Sequence, residues 1–229
     1  MENPRIPSTH FPKSPCGLQA SSEPLVDIAD FNDSRIRISM EYYRQGLQGA
    51  TPRCLLRQSA AERLIRALDL LPSGYGFCIY DAWRPVQVQQ ALYDHYYNAL
   101  KEQEDMRSLS EEELEKRVCL FVSKPSYDPL KPSVHTTGGA VDLTVVDEQG
   151  RELPMGTGFD DFTEAANTVY FETHDGAVFR DNRRLLYHCM TAVGFTNLPS
   201  EWWHYDYGTN FWSYYTGKPA MYTGILSEG

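Results

Sequence analysis

Two short segments, 133–142 and 201–204, constrain the fold of this chain most strongly, because only together do their side chains supply the groups of one metal site. The first reads SVHTTGGAVD and the second reads EWWH. Together they carry two imidazoles, one carboxylate and a further glutamate. Three protein ligands, an open coordination position and a neighbouring carboxylate are the components of a catalytic zinc site. The fold must therefore bring two segments that are distant in sequence into contact.

The first segment needs a turn before its side chains can share a metal. His135 and Asp142 are seven residues apart, and on a regular strand an odd separation places two side chains on opposite faces. Gly138 and Gly139 lie between them and provide the backbone freedom for a tight turn. Asp142 is followed by Leu-Thr-Val-Val, so we expect it at the mouth of a buried strand over 141–146, followed by a hairpin.

Elsewhere, helical and extended patterns alternate without a repeat or a boundary, which predicts one α+β domain over residues 25–229. Residues 1–24 are rich in Pro and Ser, and we expect them to form an irregular arm. Four helices are expected. Two of them start at capping boxes, Ser59–Glu62 and Ser110–Glu113, and a third covers residues 182–193. The fourth follows Pro85, and its buried face is expected to consist of Val88, Ala91, Leu92, His95, Tyr96 and Ala99. Further strands are expected over 75–80 and around 202–205.

The charge and composition of the chain make some classes of binding partner improbable. The formal net charge is −10, and the sequence lacks the basic stripe of a nucleic-acid-binding protein. The first residues contain no apolar core of a signal peptide, and no apolar run approaches the length of a membrane span. The five cysteines include no CxxC pair, which favours free thiols. We therefore expect a cytoplasmic protein that binds neither nucleic acid nor membranes.

Other common catalytic motifs are missing from the sequence. No His is followed by Glu, so the HExxH helix of many zinc proteases is absent, as are the GxSxG elbow of serine hydrolases and the phosphate-binding GxxxxGK[ST] loop. Serine hydrolase and nucleotide chemistry are therefore disfavoured.

At the residues quoted above, the chain resembles the D-alanyl-D-alanine dipeptidases of the vancomycin-resistance type, the VanX family, which are related to zinc D,D-carboxypeptidases and to the hedgehog signalling domain. Residues 133–142 meet the family pattern SxHxxGxAxD, and residues 201–204 meet ExWH. The segment YDAWRP at 80–85 resembles the aromatic-Arg-Pro block of the family, and MGTGFD at 155–160 resembles its MGxxFD loop. All four occur in the expected order.

The resemblance implies catalytic roles for five of these residues. His135, Asp142 and His204 would bind zinc, with one ion per chain. Glu201 would be the general base that takes a proton from the attacking water and hands it to the leaving amine. Arg84 would stabilise the oxyanion of the tetrahedral intermediate.

The resemblance also implies a fold and a way to bind substrate. Asp160 would hold the ammonium group of the substrate, and Ser133 would contact the substrate near its carboxylate. The implied fold is a single domain with a central antiparallel sheet flanked by helices, and the site lies in a groove on one sheet face. Family members carry a substrate-binding tyrosine early in the chain, and the stretch 37–43 offers no clear counterpart.

The sequence thus predicts a zinc-dependent dipeptidase that hydrolyses small D,D-dipeptides, chiefly D-Ala-D-Ala. One alternative is a murein D,D-carboxypeptidase or endopeptidase of the same superfamily, which would require export. Another is a non-catalytic binding module stabilised by zinc, which would need neither Glu201 nor Arg84. The sequence leaves open the chirality preference, the physiological role and the oligomeric state.

Overall fold

The computed structural model of the chain describes residues 3–8, 16–104, 106–119 and 121–228. Its strands are β1 (Leu25–Asp27), β2 (Ile36–Ile38), β3 (Leu55–Arg57), β4 (Gly76–Asp81), β5 (Ala140–Val146), β6 (Thr196–Asn197) and β7 (His204–Asp206). Its α-helices are α1 (Glu41–Arg44), α2 (Gln58–Leu68), α3 (Val86–Glu102), α4 (Glu111–Val118), α5 (Ala177–Ala192) and α6 (Asn210–Thr216). Short 3₁₀ turns occupy Ile28–Phe31, His135–Thr137, Glu164–Ala166 and Tyr170–Glu172.

A five-stranded sheet in the order β2-β4-β5-β7-β6 forms the centre of the domain. Only the β2–β4 pair is parallel among these strands, and the other three pairs are antiparallel. All residues of β4 and β5 are buried, since helices and loops cover the sheet and its central strands have no solvent face. The predicted α+β fold with a central, mainly antiparallel sheet and flanking helices is confirmed. Strands β1 and β3 form a separate antiparallel pair.

The start of α2 differs from the sequence prediction. The predicted Ser59–Glu62 capping box is wrong, because Ser59 lies inside the first helical turn and the residue before the helix makes no side-chain cap. The backbone N–H of Ser59 instead donates to the Glu23 carboxylate at 2.8 Å. A carboxylate from the preceding arm therefore caps this helix, where it also interacts favourably with the helix dipole.

Of the predicted face of helix α3, Val88 is buried and Ala91, Leu92 and Tyr96 are half-buried, but the fully buried face is shifted from it. Val86, Gln89 and Tyr93 are buried, whereas His95 and Ala99 are exposed. Helix α3 packs against α4 in a hydrophobic cluster that is separate from the main core, and this partner sets which face is covered. The Ser110–Glu113 capping box at the start of α4 is confirmed.

Two other predicted boundaries are wrong by several residues. Helix α5 begins at Ala177 rather than at residue 182, directly after Gly176, whose φ of 133° suits glycine. Trp202 and Trp203 lie in a turn, and β7 begins only at His204. The predicted hairpin after β5 is present as a bridge between Val146 and Glu152.

The described residues of the predicted arm contact the domain surface. Ile6 is buried, and Leu18 forms a bridge with Ala220 near the end of the chain. Residues 1, 2 and 9–15 of the arm lie outside the described residues, and the division at residue 24 stays a prediction. Among the described helices, none is long and apolar enough to cross a membrane.

Candidate active site

Three polar side chains form a row across neighbouring strands of the sheet. Asp81 at the end of β4 lies opposite Asp142 on β5, and Asp142 lies opposite His204 on β7. Directly paired residues share a sheet face. The register of β4 shifts between Ile79 and Asp81, and this bulge brings Asp81 to the face that carries Asp142 and His204.

His135 reaches this row because the chain turns sharply before β5. The 3₁₀ turn His135–Thr137 ends at Gly138, whose φ of 74° is left-handed. A Cβ on Gly139 would lie 2.4 Å from the carbonyl oxygen of Tyr207, so a larger residue there would clash with backbone. The turn places His135 Nε2 at 3.3 Å from Asp142 Oδ2, which is the convergence that the two glycines were predicted to allow.

The hydrogen bonds of the two imidazoles define which nitrogens face each other. His135 Nδ1 lies 2.7 Å from the carbonyl oxygen of Ala82, to which it can only donate. His204 Nε2 lies 2.9 Å from the Asp206 carboxylate and donates to it. The remaining nitrogens, His135 Nε2 and His204 Nδ1, are 3.2 Å apart, and they are the nitrogens that can offer a lone pair to a cation in place of a proton. His204 Nδ1 is also 2.9 Å from Asp142 Oδ1.

These donor atoms fit a divalent cation. One ligand atom from each of His135, Asp142 and His204 lies within 4.8 Å of the others, and all three residues are buried. Two imidazole lone pairs and a carboxylate pointing at one another are a nitrogen and oxygen donor set suited to zinc, and the hydrogen bonds on the far nitrogens orient the rings. Burial alone would raise the pKa of Asp142, but His135 and His204 hold it below its ordinary value, so the carboxylate stays ionised.

Glu201 lies beside these atoms in the turn before β7. One of its carboxylate oxygens is 3.9 Å from His204 Nδ1, and its side chain is 19% exposed. The Asn197 side-chain amide donates to the carbonyl oxygens of both Glu201 and His204 at 3.0 Å. Burial raises the pKa of Glu201 to about 7; the nearby His204 lowers it, and the charges of Asp142 and Asp160 raise it. A carboxyl group with this pKa can both accept and donate a proton near neutral pH.

Arg84 presents a fixed positive charge to the same space. It lies between β4 and α3 and is buried. Its Nε and Nη2 contact Asp81 Oδ2 at 2.9 and 2.7 Å, and Nη1 donates to Gln89 Oε1 at 2.7 Å. Its guanidinium carbon lies 4.7 Å from the centre of the Tyr42 ring. With three groups holding the guanidinium, Arg84 can stabilise a developing negative charge without first reorganising.

Asp160 and Ser133 occupy the remaining parts of the pocket. Asp160 adopts a φ of 57° and accepts a hydrogen bond of 2.8 Å from the Tyr42 hydroxyl. Burial raises the pKa of Asp160 to about 7, although the hydrogen bond from Tyr42 and the charge of Arg84 lower it. Ser133 Oγ shares a hydrogen bond of 2.8 Å with Thr136 Oγ1, and the Thr136 hydroxyl donates to the backbone of Arg84.

All seven site residues predicted from the sequence line this one pocket. They are Arg84, Ser133, His135, Asp142, Asp160, Glu201 and His204. Their proposed roles are separate from this finding and remain predictions.

Sequence reasoning missed three residues that belong to the site. Tyr42 also lines the pocket, and nothing in the pattern separates it from its neighbour, although Tyr42 is 3% exposed and Tyr43 is 50% exposed. Asp81 lies within the recognised YDAWRP block but depends on a bulge for its orientation. Asp206 could have been found, because two residues along a strand return to the same face as His204.

Comparison with known proteins identifies the family of the chain. A protein-family model described as D-ala-D-ala dipeptidase, peptidase family M15, matches residues 40–218. A D-alanyl-D-alanine dipeptidase of Escherichia coli (strain K12) is 33% identical over 157 residues, which cover 67% of each chain. One from Synechocystis is 29% identical over 185 residues, covering 73% of this chain and 74% of the relative, and one from Enterococcus faecium is 30% identical over 154 residues, covering 63% and 69%.

Among solved structures, a mutant of the vancomycin resistance D,D-pentapeptidase VanY in complex with Zn(II) aligns with a TM-score of 0.43 at 16% identity, covering 76% of this chain and 86% of that chain. The family model spans most of the present chain, including every predicted site residue. The chain therefore belongs to the D-Ala-D-Ala dipeptidase family of peptidases.

Proposed function

We propose that this protein is a zinc-dependent dipeptidase that hydrolyses D-Ala-D-Ala. One observation carries the proposal: the same pocket is lined by the three residues of the donor set, by the half-buried Glu201, by Arg84 and by Asp160. Each of these groups has a use in the hydrolysis of a dipeptide with free ends. Membership of the D-Ala-D-Ala dipeptidase family supports the same substrate class.

His135, Asp142 and His204 are the proposed ligands of one zinc ion. When bound there, zinc would supply Lewis acidity and lower the pKa of water toward neutrality. The Nδ1–H of His135 and the Nε2–H of His204 are already committed to Ala82 and Asp206. Each ring is therefore held in the tautomer that leaves its other nitrogen free to coordinate.

Glu201 and Arg84 are the proposed catalytic groups. Glu201 accepts the proton of the attacking water and then donates it to the amine that leaves, which its pKa of about 7 permits in both directions. Arg84 donates from its guanidinium to the oxygen that becomes negative when the carbonyl carbon turns tetrahedral. The contacts of Arg84 with Asp81 and Gln89 exist before substrate binds, so the donor is preorganised.

Asp160 and Ser133 are the proposed substrate contacts. The ammonium group of a free dipeptide would give Asp160 a cationic partner and would favour its ionised form, which burial disfavours. Tyr42 holds the other side of the pocket and orients Asp160 through its hydroxyl. Ser133 is placed for contact near the substrate carboxylate. A non-catalytic binding module would need neither a preorganised Arg84 nor a glutamate beside the donor set.

The test is hydrolysis of a panel of L,L, L,D and D,D dipeptides by protein from which metal has been removed and then by the same protein reloaded with zinc. We expect cleavage of D-Ala-D-Ala that depends on zinc, and weak or no cleavage of the L,L member. If the reloaded protein bound zinc but left every dipeptide intact, the dipeptidase proposal would be wrong. Faster cleavage of N-blocked peptides than of free dipeptides would favour a carboxypeptidase instead.

A further inference from the structure

Three aromatic rings meet beside the pocket, and two of them line it. Tyr96 belongs to α3, Phe121 follows α4, and Phe162 follows Asp160 by two residues. Their ring centres lie 5.8 Å apart for Tyr96–Phe121, 5.3 Å for Tyr96–Phe162 and 5.4 Å for Phe121–Phe162. All three separations fall within the range of about 4.5–7 Å in which aromatic pairs attract each other. We call Tyr96, Phe121 and Phe162 the aromatic triangle.

The aromatic triangle is supported by a hydrophobic cluster of its own. Helices α3 and α4 bury Tyr93, Leu114 and Val118 between them, and Tyr96 and Phe162 pack against this cluster. This cluster is separate from the main core, which contains the apolar residues of β4 and β5. The position of Phe121 and Phe162 is therefore set by the α3–α4 pair and not by the strands that carry the proposed metal ligands.

Phe121 and Phe162 border two different spaces. On the inner side, they line the pocket that contains the site residues. On the outer side, they line a cleft together with Asn167 and Ser200. Glu201 borders both spaces. The contact between the two phenylalanine rings thus forms a partition between the inner pocket and the outer cleft, next to the proposed general base.

We propose that the Phe121–Phe162 partition restricts the substrate to two residues, a proposal that rests on the dipeptidase function proposed above. Rings whose centres are 5.4 Å apart are in contact, so they leave no space for a peptide backbone between them. A third residue that extended from the inner pocket toward the outer cleft would have to separate the rings. A dipeptide held within the inner pocket would leave the partition intact.

This size filter is distinct from charge recognition at Asp160. A blocked amine lacks the charge that Asp160 needs, so Asp160 separates free from N-acylated peptides. D-Ala-D-Ala-D-Ala has the same free ammonium group as the dipeptide, and Asp160 alone does not exclude it. The partition supplies the second criterion, which is length.

The test measures kcat/KM for D-Ala-D-Ala-D-Ala and for D-Ala-D-Ala with zinc-loaded wild-type protein and with Phe121→Ala and Phe162→Ala. Phe31→Ala is the matched control, since Phe31 is 38% exposed and Phe121 is 37% exposed, and Phe31 borders neither space. We expect the tripeptide-to-dipeptide ratio to rise about tenfold or more in both partition variants and to stay at the wild-type value in the control. Phe121→Leu and Phe162→Leu, expected to show a smaller rise, replace any alanine variant that does not fold.

An unchanged ratio in the partition variants would overturn the size filter, as would a wild-type protein that already cleaves the tripeptide as fast as the dipeptide. An equal rise in Phe31→Ala would also overturn it, because the effect would then come from general loosening of the fold. If wild-type protein cleaves the dipeptide and the ratio does not change, only the size filter fails. If it cleaves neither peptide, the proposed function fails and the size filter fails with it.

Discussion

Asp206 Oδ2 lies 2.9 Å from Nε2 of His204, two residues earlier on the same strand. The other oxygen of Asp206 accepts a hydrogen bond of 2.8 Å from the Thr209 hydroxyl, and Asp206 is fully buried. This carboxylate is therefore held on both sides, and it keeps the His204 ring in the orientation that turns Nδ1 toward Asp142. Carboxylates in this position commonly strengthen metal binding by histidine.

Asp206→Ala should accordingly weaken zinc binding by about 10- to 100-fold, because the His204 ring loses its orienting partner. Asp206→Asn keeps an acceptor oxygen, so its zinc affinity should lie between those of the wild-type protein and Asp206→Ala. The measurement is competition for zinc with a chelator of known affinity, and exposed Asp94→Asn is the control. Wild-type affinity in folded Asp206→Ala would show that the carboxylate does not support the metal site.

Wild-type protein should purify with close to one zinc per chain, and His135→Ala, Asp142→Ala and His204→Ala should each lower that content. The reason is the donor set, in which each of the three residues contributes one ligand atom. Elemental analysis of purified protein measures the content directly. His95→Ala is the matched control because His95 is exposed on α3. Unchanged zinc content in the three ligand variants would contradict the assignment.

Glu201→Gln should retain zinc and the fold yet lose about 10²- to 10⁴-fold in kcat, because the amide cannot accept the proton of the attacking water. Steady-state kinetics on D-Ala-D-Ala together with zinc analysis tests this. Near-wild-type turnover with zinc still bound would remove Glu201 from the mechanism.

Arg84→Lys should also lower kcat while preserving a positive charge. A lysine ammonium cannot reproduce the planar guanidinium that contacts Asp81 and Gln89 together. Comparing kcat and KM separates loss of transition-state stabilisation from loss of substrate binding. A variant in which only KM rises would reassign Arg84 to substrate binding.

The dependence of kcat/KM on pH should have an acid limb at or below about 7. Burial raises the pKa of both Glu201 and Asp160 to about 7, and each group must be ionised to act as base or to bind an ammonium. Lowering the pH protonates both groups, so activity falls as the pH drops, and a bound cation would move the Glu201 pKa downward. Asp160→Asn should make the acid limb less steep. An acid limb equally steep in that variant would show that Asp160 ionisation is not required.

Free D-Ala-D-Ala should be cleaved far faster than N-acetyl-D-Ala-D-Ala. The acetylated substrate would leave Asp160 in the pocket without a cation, and an unpaired buried charge costs about 2–5 kcal/mol. Asp160→Ala should narrow the gap by harming only the free dipeptide. Measuring kcat/KM on both substrates decides this, and comparable wild-type values would favour the carboxypeptidase alternative.

Some features of the fold and site were determined locally. The His135–Asp142 segment carries its own turn and its own strand, and its glycine pair indicated that the two side chains could converge despite their odd spacing. The buried strand β5 and the capping box of α4 were equally readable, since each depends on neighbours in sequence. The motifs around Arg84 and Glu201 were likewise visible as short patterns.

Other features depend on contacts between distant parts of the chain. Glu23 caps α2 from another segment, and the buried face of α3 follows from its packing against α4. The choice between Tyr42 and Tyr43 depends on which ring meets Asp160, and the orientation of Asp81 depends on a bulge against β5. The sequence by itself therefore determined which side-chain types are available to the site and the local turn that starts it. The tertiary structure decided which residues support that chemistry, because long-range packing sets helix faces, caps and strand register.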